Sequence, residues 1–144
     1  MTDAPMLTYW HCLTGEDGVT TQVRRCLTRF EKQSMGGSSG EQWNDVLGRF
    51  EGRVIFAELP AGFDGDWHEN PKPQWIVPLS GRWWVETMDG TRVEMGPGEV
   101  SFGGDQGSRG GKGHRSGVVG DEPCRMMIVQ VGAVPGEVAG AEEA

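Results

Sequence analysis

Three histidines occur in this chain of 144 residues, and two of them sit where a proton could be moved near neutral pH. His68 lies in Asp66-Trp67-His68-Glu69-Asn70 and His114 in Gly111-Lys112-Gly113-His114-Arg115. If the first stretch is extended, alternation places Asp66, His68 and Asn70 on one face and Trp67 and Glu69 on the other. Gln74, Ile76 and Pro78 form the corresponding set on the next candidate strand. Imidazoles that trade protons, beside amides that hold a carbonyl or hydroxyl, suit enolisation, dehydration, isomerisation or ring closure. An amide pre-organised toward a developing oxyanion is worth roughly 3–4 kcal/mol. Asp66 is the one acid on the His68 face, with its Cα roughly 6.5–7 Å away along the strand. His11 reads as incidental to this set.

The elements that would position these groups are short strands. Runs at 53–59, 66–70, 74–79, 82–88, 91–95, 99–102, 114–119 and 125–131 are separated by Gly, Pro and Asp. Asp89-Gly90 is a hairpin turn between two of them. Such spacing predicts an antiparallel sandwich or barrel. Residues 1–18 read as irregular, with turn signals at Gly15-Glu16-Asp17-Gly18, and 19–30 as one or two strands. Trp43, Val46, Leu47 and Phe50 recur at i, i+3, i+4 and i+7 after a Ser39/Gln42 capping box, which predicts one short helix over 40–50. Trp83 and Val85 are expected inward. Trp84 is expected outward, against the N-terminal residues or a second subunit.

The same residues carry a resemblance. Gly62, five residues, His68, one residue, Asn70, three residues, Gln74, six residues, Gly81 is similar in spacing to the first motif of the cupin superfamily. Asn70 stands where that motif has its second histidine, and Gln74 where it has glutamate. Gly96-Pro97-Gly98-Glu99-Val100 resembles the turn before the next cupin strand, and His114 the lone histidine of the second motif. The glycine-rich stretch 103–113 lengthens the approach to it. The resemblance covers about residues 53–132. It implies an all-β fold, a cupin-type jelly-roll barrel (double-stranded β-helix). An N-terminal extension (1–52) holds the helix, and a flexible acidic tail follows (133–144).

A barrel of this kind predicts an apolar cavity in which His68, Asn70, Gln74 and His114 converge. Trp83, Ile76, Phe56, Phe102 and Asp66 would contact substrate, with Val77 beside them. The usual metal site of the family has three imidazoles and one carboxylate. Here a divalent ion would be held by His68, His114 and Gln74, and a neutral amide is a weak ligand for it. Both alternatives stand: a divalent metal, or none. The resemblance therefore implies a small-molecule enzyme of the isomerase, cyclase or lyase kind. Some cupins of bacterial secondary metabolism act in this way on polyketide-like carbonyl compounds. The alternatives are an iron- or manganese-dependent dioxygenase and a non-catalytic small-molecule-binding cupin.

Composition narrows the partners. A net charge of −8 argues against nucleic acid and anionic membrane surfaces. No apolar run reaches the length of a membrane span, and the N-terminus lacks the basic and apolar regions of a secretory signal, so a cytoplasmic protein is expected. Cys12, Cys26 and Cys124 are odd in number and widely spaced, which predicts three reduced thiols. Arg109, Lys112 and Arg115 read as solvated, or as a lid attracting an acidic substrate. Edge strands and Trp84 make a homodimer the expected assembly.

Overall fold

The computed structural model describes residues 3–132 and, for the backbone alone, 141–143. The chain is almost entirely β. Among the described residues twelve strands run in order: β1 (Leu7–Thr14), β2 (Thr20–Leu27), β3 (Glu31–Ser34), β4 (Glu41–Asn44), β5 (Arg53–Leu59), β6 (Gln74–Ser80), β7 (Arg82–Thr87), β8 (Arg92–Met95), β9 (Val100–Gly104), β10 (His114–Val119), β11 (Cys124–Gln130) and β12 (Ala141–Glu143). A large sheet has the order β12-β2-β1-β9-β6-β11-β5, and a small sheet the order β10-β7-β8. Pairing is antiparallel except between β1 and β9, which run parallel. The segment between β5 and β6 crosses to the small sheet, where Asp64 bridges Gly117 and His68 bridges His114.

The sheets pack face to face through Ile76, Cys124 and Met126 of the large one and Trp83, Val85, Val93 and Met95 of the small one. A second apolar cluster, Tyr9, Leu27, Phe102 and Val131, lies on the opposite face of the large sheet, with Phe30 and Leu47 laid over it. The large sheet is thus apolar on both sides, and its strands cannot show the clean alternation of a half-buried strand. This is why β1 escapes pattern reading. In Leu-Thr-Tyr-Trp-His-Cys-Leu-Thr both faces are used: Tyr9 and His11 pair beside Val100 and Phe102, while Trp10 and Cys12 point toward the small sheet.

Three expectations are corrected here. The helix over 40–50 is absent. Glu41–Asn44 pairs with Glu31–Ser34 as a hairpin, and the chain then runs irregularly through Gly48, whose φ of 130° no helix contains. The i, i+3, i+4, i+7 stripe serves no single face: Val46 is exposed, and Leu47 packs on the second cluster. The extension 1–52 is not wholly an appendage, because β1 and β2 are interior strands of the large sheet. The strand at 66–70 reduces to the single bridge at His68. Trp84 faces outward as expected, since Trp83 and Val85 take the core face, but it is buried, with the Arg92 guanidinium 3.8 Å and the Arg115 guanidinium 5.4 Å from its ring centroid. The tail expected to fray at 133–144 lies mostly outside the described residues, but the backbone of Ala141–Glu143 pairs with β2.

The Gly15–Gly18 turn connects β1 to β2, Asp89-Gly90 lies in the β7–β8 hairpin, and the three cysteines are free and buried. No helix among the described residues is long and apolar enough to cross a membrane.

Candidate functional site

The inner face of the large sheet carries one polar row. Register places Gln130 opposite Gln74, Gln74 opposite Gly103, Gly103 opposite Cys12 and Cys12 opposite Gln22, so five adjacent strands contribute one residue each. His114 meets this row from β10, and Asp105 from the loop that follows β9.

The centre of the site is a buried pair. His114 Nδ1 lies 2.6 Å from Asp105 Oδ2, and the two residues are 5% and 0% exposed. Asp105 Oδ1 accepts two hydrogen bonds from Asn70, from the backbone N–H at 2.9 Å and from Nδ2 at 2.8 Å. Burial opposes the charge of this carboxylate, but the hydrogen bond and charge of His114 and the two Asn70 donors outweigh it. The group is held below the ordinary carboxylate range. An ionised Asp105 fixes the tautomer of a neutral His114: Nδ1 carries the proton, and Nε2 is left with its lone pair.

The amides behind the pair form a relay. Gln130 Nε2 donates to Gln74 Oε1 at 3.1 Å, and Gln74 Nε2 donates to Asn70 Oδ1 at 2.8 Å. This chain explains one glycine. A Cβ on Gly103 would stand 2.3–2.4 Å from the Asn70 amide, so a larger residue there would expel it. The amides of Asn70 and Gln74 are thus engaged with one another, with Gln130 and with Asp105.

His68 stands at the open side. Its ring centroid is 4.7 Å from that of His114, its side chain is exposed, and its Nδ1 is 2.8 Å from the Asp66 carbonyl oxygen. The contact between Asp66 and His68 thus runs through the Asp66 backbone, and the Asp66 side chain is exposed. Trp83 and Ile76 lie in the inter-sheet core. Phe56 and Phe102 are corrections: Phe102 pairs beside Trp75, and Phe56 beside Met127, which puts both on the outer face of the large sheet with Val77. Gln74 and Ile76 already define the inner set of β6, so period two sends Trp75 and Val77 outward.

Sequence reading missed Asp105 and Cys12. Asp105 is the one acid within 103–113, a signal that was available nine residues before His114. Cys12 had none, since only the parallel pairing of β1 with β9 brings it to the row. Burial foremost, then the charges of Asp105 and Asp89, push its thiol well above the usual range. The glycine-rich stretch is no free lid. Ser108 donates to Glu69 through its N–H at 2.7 Å and its hydroxyl at 2.6 Å, Arg109 N–H reaches the Gly18 carbonyl at 2.8 Å, and Thr14 Oγ1 donates to the Asp105 carbonyl at 2.8 Å. Lys112 sits over Trp67, and Arg115 pairs with Glu86.

His11 is on the outer face beside Phe102, not at the site mouth, so it supplies no third imidazole there.

The fold and site define an all-β protein with a buried His–Asp pair. No family model matches the chain, and no curated protein does. Among solved structures, protein NMB1881 from Neisseria meningitidis is similar over 60% of this chain and 88% of its own, with 16% identity and a TM-score of 0.43.

Proposed function

We propose that this chain is a small-molecule enzyme on a cupin-type jelly-roll scaffold that performs acid–base chemistry on a carbonyl-containing metabolite: isomerisation, ring closure or elimination. The observation that carries this reading is the sealed His114–Asp105 contact at 2.6 Å. A histidine whose Nδ1 is locked to a buried carboxylate presents Nε2 as a base, and its imidazolium is stabilised once formed. His114 takes the proton next to the carbonyl, and His68, exposed and with its ring tilted against that of His114, returns a proton to the product or to solvent. Two buried amide oxygens on the polar row, Gln22 Oε1 and Gln130 Oε1, have no hydrogen-bond partner. Unpaired buried acceptors are costly, and a substrate bearing hydroxyl donors would satisfy them. Hydroxylated 1,3-dicarbonyl compounds, the polyketide-like class, fit both requirements.

The residues of the family-type metal site fit an ion poorly. Gln74 Oε1 is engaged by Gln130, Asn70 Oδ1 by Gln74, and neither amide brings charge. This favours the acid–base reading over an iron or manganese oxygenase. The test is exchange of the carbon-bound proton between the carbonyls in D₂O, followed by NMR on a panel of hydroxylated 1,3-dicarbonyl compounds. The wild-type chain is expected to accelerate exchange, and His114→Gln to remove the acceleration by about 10²-fold or more. Equal rates from both proteins would reject the enzyme and leave a binding role.

The partner implied is a second copy of the chain. Strand β5 ends the large sheet, and on its outer face Val54 and Phe56 are 62% and 72% exposed, next to Leu79 at 51%. An uncovered apolar edge of this kind favours association. Phe56→Glu is expected to shift the protein from dimer to monomer in sedimentation velocity with its circular dichroism unchanged. A wild-type chain that sediments as a monomer would overturn the dimer.

A further inference from the structure

We propose that Cys12, Asp105 and His114 form a binding site for a thiophilic divalent ion such as Zn²⁺, a donor set that shares His114 with the family-type residues but replaces His68 and Gln74 by a thiol and a carboxylate. One donor atom from each of the three lies within 4.8 Å of the other two, and all three side chains are buried. They arrive from β1, from the loop after β9 and from the start of β10, so the convergence is tertiary. Thiolate, carboxylate and imidazole together select zinc or cobalt over magnesium or calcium.

Charge supports the assignment. A thiolate and a carboxylate neutralise a divalent ion, so the loaded site buries no net charge. On binding, Cys12 releases its proton to solvent, and the neutral His114 ring keeps one proton on the nitrogen that faces away from the ion. A tetrahedral ion separates adjacent nitrogen and oxygen donors by roughly 3.3 Å, so the present 2.6 Å contact opens by about 0.7 Å as the ion replaces the shared proton. Gln22 Oε1, buried and without a partner, belongs to the residue paired with Cys12 across β1 and β2. It offers an acceptor on the same inner face, where a fourth ligand or an ion-bound water would need one. The exposed His68, whose ring centroid is 4.7 Å from that of His114, marks the side from which an ion enters.

A loaded site has no proton between Asp105 and His114, so metal would silence the acid–base pair proposed above. The binding claim does not depend on that activity and is tested without it. Tag-free full-length protein, stripped with chelator and kept reduced, is titrated with Co²⁺ alone. Expected are one ion per chain and a thiolate-to-cobalt charge-transfer band in the near ultraviolet. Cys12→Ser abolishes the band, and Asp105→Asn and His114→Gln each weaken binding by about tenfold or more. Cys26→Ser and Cys124→Ser, which alter the two other buried thiols, leave it unchanged. Absence of the band, its survival in Cys12→Ser, or its dependence on Cys26 or Cys124 would overturn the site. Should Cys12→Ser fail to fold, X-ray absorption of the zinc-loaded wild-type chain decides: one sulfur in the shell supports the site, and an all-nitrogen-and-oxygen shell overturns it.

Discussion

Asp105→Asn is expected to lower the carbon-acid exchange rate by about 10²–10⁴-fold while leaving the fold in place. The asparagine keeps an oxygen for the two Asn70 donors that Asp105 Oδ1 accepts at present. What changes is the group facing His114. The amide N–H₂ now donates to Nδ1, and the ring must carry its proton on Nε2. That tautomer has no lone pair to offer at the working nitrogen, and the fixed negative charge that would support an imidazolium is gone. The loss should appear in the rate at saturating substrate, because neither change touches the surfaces that hold substrate. NMR of the imidazole nitrogens supplies an independent readout: the protonated nitrogen moves from Nδ1 to Nε2. A variant with wild-type rate and the wild-type tautomer would mean that Asp105 does not orient His114, and the mechanism would fall with it.

The second large effect is on stability and lies at a different histidine. His11 is 3% exposed, its Nδ1 accepts from Arg25 Nε at 2.7 Å, and its Nε2 has no partner. Burial, and then the neighbouring guanidinium charge, lower its pKa from 6.5 to about 4. Between these two values the unfolded chain binds a proton that the folded chain refuses, so stability rises with pH across that window and is lost as pH falls. A shift of this size corresponds to about 3 kcal/mol by pH 4, a large part of the stability of one domain. Denaturant unfolding at stepped pH should show the decline beginning near 6.5, above the range in which Asp105 and Asp89, both held below the usual carboxylate values, start to take up protons. His11→Gln should flatten the curve between pH 6.5 and 4. An identical slope in wild type and variant would mean that His11 is protonated without cost.

Much of this protein was legible in its residues. Short runs of β-formers between glycines and prolines fix an all-β chain, and Asp89-Gly90 and the Gly15–Gly18 turn fix two of its reversals, because a turn is decided by four residues and their own torsions. His68 and His114 are recognisable as a pair because imidazole is chemically distinct wherever it lies. The short helix is the instructive failure. Its stripe and capping box are real local preferences, but Glu41–Asn44 finds a partner strand in Glu31–Ser34, and pairing across a hairpin satisfies backbone groups that a helix as short as 40–50 would leave open at its ends.

What tertiary structure alone decides is which groups meet. Cys12 and Asp105 are 93 residues apart, and nothing local links them; the parallel alignment of β1 with β9 does. The same alignment makes the large sheet apolar on both faces, which erases the alternation by which β1 and the facing of Phe102 could have been read. Residue type sets what a side chain can do, and period two sets which neighbours share its face. Which face is inside depends on the partners a strand acquires, and that information is held by residues far away in the chain.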